Sequence, residues 1–94
     1  VLNRIPNEGP FYLTIDADGL DPTIMPAVMA QTPGGLNWVQ TRQLLHGLVN
    51  KGRVVGMDLV EIAPKNDVAG ITAIHAERLI CNFIGASVRA GYCD

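Results

Sequence analysis

The chain has 94 residues, 48% of them hydrophobic, and a formal net charge of −2. That length suits one domain, and that composition an ordinary globular chain with no sign of disorder. Its seven Lys and Arg are scattered along the sequence, so it lacks the electrostatic footprint of a nucleic-acid or anionic-membrane binder.

No apolar run approaches the ~20 residues needed to cross a bilayer. Asn3, Arg4, Pro6, Asn7 and Glu8 break up any signal-peptide core at the start. Cys81 and Cys93 form neither a ligand motif nor a disulfide framework, and a reduced, cytoplasmic setting is expected. The chain opens on Val1 rather than Met and soon enters an apolar strand, the pattern of a chain whose upstream portion is missing.

In chain order, residues 1–10 carry Pro6, Gly9 and Pro10 and read as a loop. Phe11 to Ile15 is a short apolar run with aromatic and β-branched members, which predicts a strand covered on both faces, as in a parallel sheet. Residues 16–37 hold three Asp, three Pro and three Gly with no regular period. A connection this long is more often functional than idle.

Asn37 with Gln40 has the form of a capping box, and the helix it opens is expected from about Trp38 to Asn50, burying Trp38, Leu45, Leu48 and Val49. Gly52 fits the left-handed position past its end. Val54 to Val60 predicts a second apolar strand, followed at once by Glu61. After a turn around Pro64 to Asp67, the positions Ile71, Ile74, Leu79, Ile80, Phe83, Ile84 and Val88 recur mostly at spacings of three and four, suggesting one apolar helix face. The order strand–helix–strand–helix predicts a βαβα unit of an α/β protein with a parallel sheet. Two such strands leave edges and faces open, so further sheet is expected from outside these residues.

Chemistry concentrates where the first strand ends. Ligands bind α/β sheets at the carboxyl ends of strands, and Asp16 and Asp18 sit at such an end. A slight turn lets both carboxylates converge on metals roughly 3.5–4 Å apart, and an oxygen-rich site suits Mg²⁺ or Mn²⁺. A bare Asp-x-Asp equally serves to turn a chain after a strand. Calcium fits less well, because the acids fall at relative positions 1, 3 and 6 rather than 1, 3 and 5. Asp21, ahead of Pro22, suits shaping the turn better than holding metal. His46 and His75 both lie in predicted helices and read as surface or packing residues.

The run Asp16-Ala17-Asp18-Gly19-Leu20-Asp21-Pro22, then Pro26, then Pro33-Gly34-Gly35-Leu36 ahead of a helix, resembles the final third of the ureohydrolases: arginase, agmatinase and related guanidino-acid hydrolases. Gly56-Met57-Asp58-Leu59-Val60-Glu61-Ile62-Ala63-Pro64 is similar to the other C-terminal signature of that family, and the resemblance spans essentially the whole chain. It implies a three-layer α/β/α sandwich, incomplete here, with residues 1–94 as the C-terminal fragment of a single domain. It further implies two Mn²⁺ per complete site, with Asp16 bridging both ions, Asp18 binding one and Glu61 accepting the guanidinium of a small substrate. Metal-bound hydroxide then attacks the guanidino carbon, giving urea and an amine. A homo-oligomer, trimer or hexamer, is implied for the full-length protein, with neither nucleic acid nor membrane as a partner.

The family's remaining ligands, two His and two Asp, and its upstream catalytic His have no counterpart in this sequence, so this piece alone is expected to be inactive. Where most agmatinases carry Gly-Thr-Gly-Thr-Pro, this chain has Ala27-Val28-Met29-Ala30-Gln31, which leaves the choice among guanidino substrates open. Two other readings stand beside this one: a non-catalytic truncated or assembly module, and a different two-metal hydrolase such as a phosphoesterase. The latter lacks a Gly-rich phosphate loop or a basic cluster.

Overall fold

The computed structural model describes residues 1–92. After a single 3₁₀ turn at Leu2–Arg4, the chain forms β1 (Phe11–Asp16), α1 (Trp38–Lys51), β2 (Val54–Val60) and α2 (Ile71–Arg89), with further 3₁₀ turns at Ala17–Gly19 and Pro64–Asn66. The strands pair in parallel, Leu13 beside Met57, Ile15 beside Leu59 and Asp16 beside Val60. The pairing shifts between Phe11, opposite Val54, and Tyr12, opposite Gly56, so β2 carries one extra residue there. This irregularity bends the strand start and sets which residues share a face.

Side chains alternate across a sheet. Leu13, Ile15, Met57 and Leu59 face a core completed by Leu45 and Val49 of α1 and Leu79 and Ala86 of α2. The two helices run side by side in the same direction: Trp38 packs on His75 with ring centroids 5.8 Å apart, and near the far end the Tyr92 hydroxyl donates to the Val49 carbonyl at 3.1 Å. The opposite face presents Tyr12, Thr14, Asp16 and Val60, all exposed. Among the described residues β1 is therefore covered on one face only, where a strand buried on both was expected. Tyr12, at 62% exposure, marks the uncovered layer.

Helix α1 starts as its sequence dictates. The Asn37 side chain accepts from the Gln40 amide at 2.8 Å, and the Gln40 side chain accepts from the Asn37 amide at 3.1 Å, closing the capping box. Leu45 and Val49 are buried, while Trp38 and Leu48 are half-buried against the core.

Its end differs from expectation. Gly52 has φ −176°, an extended conformation open to any residue, not the left-handed cap. The reason for glycine is proximity: a Cβ there would lie 2.7 Å from the Gly9 amide nitrogen and 2.8 Å from the Phe11 ring.

Helix α2 also departs from the single apolar face read from its sequence. The buried stripe is Thr72, Ala76, Leu79 and Ala86, with Phe83 half-buried beside it. Ile74, Ile80, Ile84 and Val88 are exposed. The helix carries two apolar stripes, and small residues rather than isoleucines line the one that meets α1. Asp67 holds its start, accepting from the amides of Val68, Thr72 and Ala73 at 2.9, 2.9 and 3.1 Å. Those contacts keep its carboxyl below the usual aspartate range, the Thr72 amide contributing most.

Candidate functional site

The site is built where β1 stops. Thr14, Ile15 and Asp16 are the last strand residues, and the 3₁₀ turn at Ala17–Gly19 then swings Asp18 back beside Asp16. The Asp18 amide donates to Asp16 Oδ1 at 2.9 Å, so Asp16 caps the turn that presents Asp18. Ala17 between them is wholly buried and serves as the anchor. The sequence reading put both residues at the strand end with a slight turn between them; that turn is the 3₁₀ turn at Ala17–Gly19, held by this hydrogen bond.

Asp18 Oδ1 is buried and has no hydrogen-bond partner among the described residues. A buried carboxylate oxygen without a partner forfeits about 1–3 kcal/mol or more of solvation. It calls for a cation or a donor from outside this chain. Asp16, by contrast, is exposed, with its second oxygen uncommitted.

Glu61 follows directly on β2. Because Asp16 pairs with Val60, Glu61 leaves the sheet level with the Asp16–Ala17 turn. Its φ is +73°, a left-handed conformation that a β-carbon disfavours. Such strain in a non-glycine residue persists only where the surroundings impose it, and it clusters at functional sites. The Glu61 side chain is exposed.

The long connection is a packed shell around this strand end. Asp21 accepts from the Thr23 hydroxyl at 2.7 Å, the Thr23 amide at 2.9 Å and the Gly34 amide at 2.8 Å. These bonds, led by the Thr23 hydroxyl, lower its pKa, and they establish it as the turn-shaping residue. Leu20 bridges Leu36, and a Cβ on Gly35 would meet the Gly19 carbonyl oxygen at 2.7 Å. The glycine after Pro33-Gly34 lets the loop close on the end of the Ala17–Gly19 turn.

Beyond it, Met25, Ala27 and Val28 are buried. The Ala27 amide donates to Thr72 Oγ1 at 3.0 Å, and the Ala27 carbonyl accepts from the Ala63 amide at 2.8 Å. The His75 Nδ1–H donates to the Ile24 carbonyl at 2.6 Å. The loop is thus pinned to α2 and to the segment that follows Glu61, and it presents Met29 at 78% exposure. Thr72 and His75 were legible in the sequence as helix residues but not as loop anchors.

Both histidines are occupied away from the carboxylates. His46 Nε2–H donates to Asn82 Oδ1 at 2.9 Å, and its Nδ1 accepts from Arg89 at 3.1 Å. Among the described residues no three His, Cys, Asp or Glu side chains converge as a complete metal site. Cys81 is a free, exposed thiol, and Cys93 lies outside the described residues. An apolar groove along the unpaired edge of β1, lined by Leu2, Leu13, Leu44 and Leu48 among others, reaches Asp16 but neither Asp18 nor Glu61. It is the space beside an unpaired strand.

One neighbour of the site was read in the sequence only as part of the second signature, with no role of its own. Asp58 pairs with Thr14 across the sheet and shares the uncovered face with Asp16. The Tyr12 hydroxyl donates to Asp58 Oδ2 at 3.2 Å, and this bond, with the Asp58 charge, raises the Tyr12 pKa. The Tyr12 ring lies over Gly56, where a Cβ would come within 2.8 Å of its edge. Only the register, invisible in the sequence, brings Asp58 to this face.

The parallel α/β unit places Asp16, Asp18 and Glu61 at the carboxyl ends of its two strands, where α/β sheets bind ligands. Residues 1–85 match the model of the arginase family, and the chain belongs to that family. It is 39% identical over 77 residues to an agmatinase of Chromobacterium violaceum, covering 82% of this chain and 24% of that protein. It is 37% identical over 86 residues to an N(1)-aminopropylagmatine ureohydrolase of Thermus thermophilus, covering 86% and 27%.

Among solved structures, a hypothetical agmatinase from Burkholderia thailandensis superposes with a TM-score of 0.84 at 33% identity, over 99% of this chain and 30% of that one. The agmatine ureohydrolase of Thermoplasma volcanium gives 0.75 at 38% identity, over 88% and 27%. The chain spans about a quarter of the length of the curated relatives it matches. The arginase-like α/β/α fold, present here in part, is the fold expected from the sequence.

Proposed function

We propose that residues 1–94 are the C-terminal portion of a single ureohydrolase domain. The complete protein hydrolyses a linear guanidino compound, agmatine or a guanidino acid, to urea and an amine in a manganese-dependent reaction. The observation that carries this reading is the buried, unpartnered Oδ1 of Asp18 held beside Asp16 at the end of β1. An orphaned carboxylate oxygen beside a free one fits a hard divalent cation, and agmatinases among the relatives support the guanidino substrate.

In this reading Asp16 and Asp18 would hold the metal, with Asp16 the ligand that the family resemblance implies is shared by two ions. Bound divalent cations supply a water acidic enough to act as a nucleophile near neutral pH. The remaining work falls to residues of this chain and to the rest of the domain. Asp16 locks the turn that aims Asp18. Glu61, exposed and level with Asp16, receives the forked N–H donors of the guanidinium and holds its carbon over the metal-side turn. The chain alone lacks the other ligands and is inactive by itself. A homo-oligomer, trimer or hexamer, and a cytoplasmic setting complete the reading.

The test is urea release by the full-length protein with added Mn²⁺ over a panel of guanidino compounds. Activity is expected with at least one, and Asp16→Ala and Asp18→Ala should each lower it by orders of magnitude. Wild-type rates in both variants would refute the ligand assignment. Silence of the wild type across the panel favours a different metal hydrolase or a non-catalytic module. For Glu61→Gln the expected result is a raised KM with metal content retained, and loss of metal would show that Glu61 is a ligand instead.

A further inference from the structure

We infer that Met29 is a specificity-determining residue, its thioether forming one wall of the substrate entrance and packing on the methylene stem of the guanidino compound. This rests on the guanidino-hydrolase reading above.

Met25, Ala27 and Val28 turn inward and are buried, whereas Met29 stands at 78% exposure. A single exposed apolar side chain is ordinary on a protein surface. Met29 differs because the loop that carries it is fixed on both sides. The Ala27 amide donates to Thr72 Oγ1 at 3.0 Å, and the Ala27 carbonyl accepts from the Ala63 amide at 2.8 Å. Gln31 Nε2 donates to the Pro26 carbonyl at 3.0 Å and closes the loop on itself. The Met29 side chain is itself held, since Asn66 Nδ2 donates to its Sδ at 3.6 Å.

These contacts put Met29 on the same rim as Glu61. Ala63, which grips the loop at Ala27, follows Glu61 by two residues, and two residues of chain span at most about 7 Å. The rim thus runs from the carboxylate that receives the guanidinium to the thioether held by Asn66. Between Asp16 and Asn37 the chain has no Lys or Arg. This stretch of the rim therefore offers a substrate apolar contact and no positive charge. An unbranched, polarisable side chain suits an unbranched alkyl stem, to which it can adapt. One methylene in a closed apolar pocket changes selectivity by about 10–200-fold; a single wall contributes the lower part of that range over a whole stem.

The experiment measures urea release by the full-length protein from its best guanidino substrate, with n-alkylguanidines from methyl to pentyl as competing inhibitors. In the wild type the inhibition constant is expected to fall with each added methylene. Met29→Ala should flatten that trend, weakening pentylguanidine about tenfold and leaving methylguanidine unchanged. Met29→Leu keeps the apolar bulk and should restore most of the trend.

A loop merely loosened by the substitution would weaken methylguanidine and pentylguanidine alike. That result, or an unchanged trend in Met29→Ala, overturns the inference and leaves the guanidino-hydrolase reading standing. Absence of urea release by the wild type from every guanidino compound overturns that reading, and the inference with it.

Discussion

At the scale of single residues, two positions show how far side-chain identity can be read without coordinates. Gly52 is recognisable as a helix-end glycine, yet its φ of −176° removes the usual reason for one. Its neighbours supply another, with Gly9 and the Phe11 ring occupying the space of a Cβ. Gly52→Ala in the full-length protein should therefore destabilise it by about 1–3 kcal/mol through overpacking, read as a lower midpoint in urea unfolding. A neutral result would mean the strand entry shifts without cost. Asp16, Asp18 and Glu61 could be singled out only through the family signatures around them, since an Asp-x-Asp after a strand equally serves as a turn. Asp58 was not singled out, because its place beside Tyr12 depends on pairing opposite Thr14, and register is set by the extra residue near Val55 rather than by any local signal.

Among the elements, α2 was the least well read. Its isoleucines have helical spacing, but Thr72, Ala76, Leu79 and Ala86 meet the core while Ile80, Ile84 and Val88 stay exposed. Small residues pack closely against α1, so the more hydrophobic stripe is left for another neighbour. Two contacts at the start of this helix have measurable consequences. The Thr72 hydroxyl accepts the buried Ala27 amide. Thr72→Val leaves that amide unpaired and should cost about 1–3 kcal/mol, with proteolysis appearing first in the 26–31 loop; stability equal to wild type would dismiss the anchor.

Asp67 adds a pH dependence. Its pKa is lowered in the folded state, so it binds a proton more readily when unfolded. Its stabilisation is complete above the unfolded value of about 3.9 and is lost as pH falls through the lowered folded value. Wild type should lose stability below about pH 4 more steeply than Asp67→Asn. Parallel acid-unfolding curves would contradict the cap. The capping box of α1, in contrast, was readable outright, because both partners lie within four residues of each other.

For the molecule as a whole, strand–helix–strand–helix order and parallel pairing followed from the alternation of apolar segments, and the arginase-like fold agrees with them. What no local pattern could supply is the layer that covers the other face of the sheet. Tyr12, Val55, Val60 and the outer stripe of α2 remain exposed within this chain, which spans about a quarter of its curated relatives. The isolated 94-residue chain should accordingly bind a hydrophobic dye strongly and release no urea; turnover by it would show that the site is complete without the other ligands.

The central claim is that Asp16 and Asp18 form one side of a two-ion site, with Asp16 shared between the ions. Its most direct measurement is the Mn²⁺ stoichiometry of the full-length protein and of its Asp16→Ala and Asp18→Ala variants. Two tight ions are expected in the wild type, loss of tight binding at both positions in Asp16→Ala, and loss of one in Asp18→Ala. Two ions held with wild-type affinity in both variants would contradict it.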